Sequence, residues 1–225
     1  MERHFDEELT SLKHQILKMG GLAEKMIREA VKALVKDDPE LLRPIYDQEN
    51  QVNHLQVEID EACVRLIALH QPMAGDLRLL LGVSRINSEL ERLGDHAINI
   101  AGTVYRLLQE PPLKPFETIP HMVEIASGMV KDSLHAFVHL DAAKARDVLS
   151  RDRALNALKD QVTSELMDFM RRDPSTISRA VNLVIVARNL ERMGDHAKNI
   201  AEDVVFVAEG KDIRHPFEKK PPQKS

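Results

Sequence analysis

Glu91 with Asp95, and Glu191 with Asp195, are two acidic pairs at helical spacing, set in the near-identical stretches ELERLGDHAINIA (from Glu89) and NLERMGDHAKNIA (from Asn189). Residues four apart share one helix face, about 6 Å from each other along the axis, and Asn99 and Asn199 extend each row by a further turn. Like charges so placed cost a helix a few tenths of a kcal/mol, a cost that a cation would relieve. Arg92 and Arg192 point about 100° away and serve poorly in that role. Earlier in each half stand related pairs, Glu49 with Asn53 and Asp152 with Asn156. If the helices carrying them lie beside the first rows, each half gathers three carboxylates and amide oxygens. Such hard oxygen donors suit Mg, Ca, Mn or iron, not a thiolate-seeking metal.

An acidic pair on a polar helix face is most often simply solvated. Here the duplication argues for more, because packing repeats keep residue type rather than identity, yet Glu91–Ala101 and Glu191–Ala201 differ at only two positions. On a helical wheel Leu90, Leu93, Ala97, Ile100, Ala101 and Val104 form the apolar stripe, nearly opposite Glu91 and Asp95. A metal would therefore sit on the bundle surface and exchange readily. Gly94 and Gly194 each cost about 1 kcal/mol relative to Ala inside a helix, which points to close helix approach. The wheel turns His96 and His196 about 100° from the carboxylates, so both read as exposed or capping residues.

The elements that must hold these residues are helical almost throughout. No sustained alternation or Asn-Gly or Asp-Gly turn appears. Prolines punctuate helices over roughly 5–36, 39–70, 74–109, 117–139, 141–171 and 175–209. Asp38-Pro39 reads as an N-cap followed by Pro at the first helical position, while Pro44 predicts a kink or a later start. Asp76 is placed to cap the third helix, with Arg78 available to a carboxylate. Met26, Ala33, Val35, Asp38, Asn53 and Leu55 recur 103 positions on, and the offset is 100 by the third helix. Residues 1–110 and 111–211 thus read as two three-helix units, and 212–225 as a disordered tail. The fold class is all-α: two tandem three-helix bundles of six antiparallel helices.

Composition narrows the function. The 225 residues have 30% charged and 43% apolar side chains, 4% aromatics and no Trp. A net charge of −5 gives nothing that attracts nucleic acid. The single cysteine, Cys63, reads as a core residue. MERHFDEELT lacks the apolar run of a signal peptide, and no run approaches the 18 or so residues that span a bilayer, so a cytoplasmic protein is expected. No Glu is followed by His three residues later, as di-iron bundles require. Phosphate-loop, GxSxG and HExxH motifs are missing too, so no enzyme is expected.

Residues 59–82 (IDEACVRLIALHQPMAGDLRLLLG), the two GDHA stretches and MGGLAEKMI at 19–27 together resemble the PhoU family of bacterial phosphate-uptake regulators. The resemblance covers the chain apart from its tail. It implies a cytoplasmic negative regulator without catalytic activity, linking the ATPase of the phosphate ABC transporter to the membrane sensor histidine kinase. It also implies multinuclear clusters of iron or another hard divalent cation at E/D-x-x-x-D motifs, which map onto Glu91/Asp95 and Glu191/Asp195. Asn53 and Asn156 stand where family members often have Asp, which removes a charge from each cluster. A homodimer is compatible with this reading. The contrasting reading is a metal-storage or metal-buffering bundle in which the clusters are themselves the function.

Overall fold

The computed structural model describes residues 2–113 and 117–214. Six helices follow in order: α1 (Glu2–Lys36), α2 (Arg43–His70), α3 (Ala74–Leu107), α4 (Thr118–His139), α5 (Ala142–Arg172) and α6 (Ile177–Glu209). Among the described residues there is no strand. Local sequence sets the breaks. Asp38 accepts a hydrogen bond from the Glu40 N–H at 3.0 Å and caps a single 3-10 turn, Pro39–Leu42. The α-helix proper then starts at Arg43 with Pro44 in its first turn, where a missing N–H is harmless. Asp141 caps α5 by accepting from the Lys144 N–H at 2.9 Å. α6 ends at Gly210, whose φ of 71° is left-handed and whose N–H reaches the Phe206 carbonyl.

Each repeat closes on itself as three helices, α1–α3 and α4–α6, and the two repeats then pack through α1 against α4 and α3 against α6. The result is a central four-helix layer, α1, α3, α6 and α4, with α2 applied to one side and α5 to the other. One continuous apolar core runs through both repeats, from Leu12, Ile16 and Met19 on α1 to Leu190, Met193 and Ile200 on α6. Gly20 of α1 faces Leu134 of α4, and Gly82 of α3 faces Val207 of α6, so glycines let the repeats approach. Arg28 pairs with Glu124 at 2.5 Å on the rim of the α1–α4 contact.

Two expectations about the start of α3 are corrected. Its N-cap is Met73, with no side-chain cap bond; Asp76 lies in the first turn, and its own N–H bonds the Met73 carbonyl at 3.2 Å. The Gln71-Pro72 segment before it fixes this start, leaving Asp76 three residues inside, where it meets only the helix dipole. Among the described residues Arg78 reaches no carboxylate: its Nε is buried without a hydrogen-bond partner, beside Gly210. The segment after Arg214 lies outside the described residues.

Candidate functional site

The repeated stretches lie where α3 and α6 cross. Apolar faces of both helices are buried, Leu90, Leu93 and Ala97 matched by Leu190, Met193 and Ala197. The two glycines fix how closely the outer helices approach. A Cβ on Gly94 would come 3.2 Å from Val52 of α2, and one on Gly194 would come 2.5 Å from Leu155 of α5. α3 and α6 run antiparallel, with Arg85 opposite Asp203 at one end and His96 opposite Asn189 near the middle. The crossing therefore has an approximate two-fold relation inherited from the duplication.

His96 and His196 are not exposed, contrary to the single-helix wheel. His96 is buried, and the side chain of His196 keeps 12% of its exposure. The wheel considered one partner face, whereas α3 packs on α1, α2 and α6 at once. Nε2 of His96 stands 3.1 Å from Nε2 of His196. On the outer sides, His96 Nδ1 meets Asn189 Oδ1 at 2.9 Å and His196 Nδ1 meets Glu89 Oε2 at 2.7 Å. Asn199 adds an N–H to the same Glu89 oxygen at 2.9 Å.

Proton positions follow from these partners. Asn189 spends its amide N–H on the Ile185 carbonyl at 2.8 Å, so its oxygen must accept from His96. The Glu89 carboxylate accepts from His196. Burial, more than any neighbour, pushes His96 toward its neutral form. Burial alone would raise the Glu89 carboxyl, but the hydrogen bonds from His196 and Asn199 outweigh it and hold it below its usual range. Neither Glu89 nor Asn189 stands out in sequence, and Asn199, read there as part of the Glu191/Asp195 row, instead donates to Glu89; the available signal was a histidine repeated identically in both copies.

The expected metal-ligating residues divide unequally. Burial and then Asp95 raise Glu91, and burial and then Asp195 raise Glu191, with Asp152 adding to the second. Asp195 is likewise raised by burial and by Asp152. Asp152, Glu191 and Asp195 are thus near enough to repel one another, with Lys159 easing the load on Glu191. In the first repeat Asn53 is exposed and donates to Glu49 at 3.4 Å, while Asp95 is also exposed. In the second, Asn156 donates to Asp152 at 3.3 Å, and Asp152 Oδ1 and Asn156 Oδ1 are buried without a hydrogen-bond partner. Orphaned oxygens among mutually repelling carboxylates match a hard cation in kind. Among the described residues, however, no three His, Cys, Asp or Glu side chains converge where an ion could sit. Filling such a site would require rotamers to turn inward. Glu91, Asp95 and Asp195 also border one shared depression of about 670 Å³ over the α3–α6 crossing, a juxtaposition of the two copies that sequence spacing did not suggest.

A family model described as the PhoU domain matches this chain twice, over residues 16–104 and 119–204. The chain belongs to the PhoU family. A Pseudomonas putida protein named phosphate-specific transport system accessory protein PhoU homolog is 37% identical over 216 residues, spanning 96% of this chain and 84% of that protein. The Aquifex aeolicus protein of the same name is 41% identical over 209 residues, spanning 93% and 95%. The crystal structure of PhoU from Pseudomonas aeruginosa superposes with a TM-score of 0.88 at 36% identity, covering 92% of this chain and all of that one. The PhoU structure from Streptococcus pneumoniae gives 0.85 at 29%, covering 93% and 99%. The two-bundle PhoU architecture is therefore shared over nearly the full length.

Proposed function

We propose that this protein is a cytoplasmic negative regulator of phosphate uptake and of the phosphate-starvation response, an adaptor between the ATPase of a phosphate ABC transporter and a sensor histidine kinase. The observation that carries the reading is the full-length family match to proteins named as accessories of phosphate-specific transport. No helix among the described residues is long and apolar enough to cross a membrane, so contact with transport components would be made from outside the bilayer. The fold suits an adaptor without catalysis. One core joins the two repeats, so α2 and α5 hold their outer faces at a fixed separation, and both expose apolar side chains such as Val57, Val64 and Met167.

A hard cation belongs to this reading as a ligand of the second repeat, held by Asp152, Asn156, Glu191 and Asp195, where it would neutralise the repulsion described above. Glu49, Asn53, Glu91 and Asp95 form the weaker counterpart. A metal-buffering function is not favoured, since neutral Asn53 and Asn156 stand at two of the donor positions and no closed ligand set is formed among the described residues.

Deleting the gene and assaying phosphatase secretion in phosphate-rich medium tests the regulatory reading. Derepressed phosphatase, restored to repression by the intact chain, is expected. Intact repression with altered metal tolerance would instead support the buffering role.

A further inference from the structure

The antiparallel crossing of α3 and α6 creates two grooves related by the duplication. One lies between residues 98–106 of α3 and 185–192 of α6; its counterpart lies between 198–206 and 85–92. The first is a depression of about 510 Å³ into which Arg106, Arg188 and Arg192 project, with Tyr46 at its edge and no Asp or Glu in its lining. The counterpart has three acids at positions where the first groove is neutral: Glu202 for Gly102, Asp203 for Thr103 and Glu89 for Asn189.

Two of those acids are already engaged. Asp203 pairs with Arg85 at 3.2 Å, Arg85 stacks 4.9 Å from the centre of the Phe206 ring, and Glu89 holds His196 and Asn199. In the first groove the cations have no such partners. Arg188 and Arg192 form no ion pair among the described residues, although Arg192 also borders the adjoining depression with Glu91, Asp95 and Asp195 and acts on the Glu191 and Asp195 carboxyls; Arg106 donates to the Thr103 hydroxyl at 3.1 Å. The two copies of this helix thus keep one scaffold but differ in charge, in a chain whose overall charge is −5.

We propose that this arginine groove binds a small phosphoryl anion carrying two or more negative charges. Arg188 and Arg192 lie one helical turn apart, about 6 Å along the axis, and Arg106 faces them across the groove. A planar guanidinium presents paired donors that match phosphoryl oxygens. Inorganic phosphate, pyrophosphate and a nucleotide share this chemistry.

Calorimetric titration of the full chain, at low ionic strength and free of divalent cations, distinguishes them. The probes are inorganic phosphate, pyrophosphate, ATP, sulfate and an oligoglutamate peptide. Saturable binding of at least one phosphoryl probe, tighter than sulfate or oligoglutamate, is expected. It should weaken at least about tenfold in Arg188→Ala, the loss of one charge-assisted contact. Gly102→Glu should do the same by installing the acid of the other groove, at a position where a Cβ meets nothing within 4 Å. Arg92→Ala, in the counterpart groove, should leave binding unchanged. The proposal fails if no phosphoryl probe binds, if sulfate or oligoglutamate binds as tightly, or if Arg188→Ala and Gly102→Glu bind like the parent. Equal weakening by Arg92→Ala would also refute the location. The titration uses purified protein, so its failure is separate from any failure of the regulatory reading, which the cellular assay reports.

Discussion

Replacing Glu89 by Gln removes the carboxylate that accepts from His196 and Asn199 between the repeats, while keeping nearly the same volume. Removing one partner of a buried ion pair costs about 3–5 kcal/mol, because the other charge is left without compensation. Glu89 and His196 keep 18% and 12% of their side-chain exposure, so some water reaches them and about 2–3 kcal/mol is the better expectation. Against a typical total of about 5–15 kcal/mol that is a large fraction. Urea denaturation followed by circular dichroism measures it, with the parent and variant sharing one slope. Asn189→Ala, at the equivalent position, breaks only neutral hydrogen bonds and should cost about 1 kcal/mol. The pH dependence follows from the lowered Glu89 carboxyl. A carboxyl held below its unfolded value stabilises above that value and loses its contribution as pH falls through the folded one. The gap between parent and Glu89→Gln should thus be full near neutrality and shrink below about pH 4.5, the ordinary glutamate value. A variant within 0.5 kcal/mol of the parent at pH 7, or a gap that widens on acidification, would refute the proton arrangement.

Further tests address the packing and the buried titratable groups. Gly194→Ala drives a methyl to 2.5 Å from Leu155 and should destabilise by about 1–3 kcal/mol. Gly128→Ala, in open space inside α4, should stabilise by about 0.5–1 kcal/mol in the same denaturation assay. Asp203 is pushed above its usual range by burial, which the Arg85 contact only partly offsets. Because the folded state then binds that proton more tightly, ionising Asp203 costs stability as pH rises, and Asp203→Asn should be within about 1 kcal/mol of the parent or more stable at pH 7. The Cys63 thiol is buried and pushed up to about 12, with burial the main cause. It should resist a thiol-specific reagent at pH 8 until denaturant is added, and immediate stoichiometric reaction would contradict its place in the core.

Much of this architecture was legible before the structure. Proline positions and the 3.6-residue spacing located all six helices, because both act within a few residues of where they are read. Asp38 and Pro44 even specified how α2 begins. The helix-interior glycines signal close approach by their cost alone, but which side chains approach them, Val52 and Leu155, depends on tertiary packing. What escaped was the relation between the copies. A wheel assigns each helix one buried face, and α3 has neighbours on three sides, so His96 was turned toward solvent when it faces His196. The arginine groove was hidden for the same reason. Ser88 against Arg188 and Gly102 against Glu202 are visible differences between the repeats, but they acquire meaning only once antiparallel packing sets 98–106 opposite 185–192.

The most direct measurement of the central claim is a bridging assay with purified components. The transporter ATPase is immobilised, and the soluble kinase region is passed over it with and without this chain at matched concentration. The adaptor account predicts that the kinase is retained only when the chain is present. A chain that binds neither component, or a kinase retained equally without it, would contradict that account.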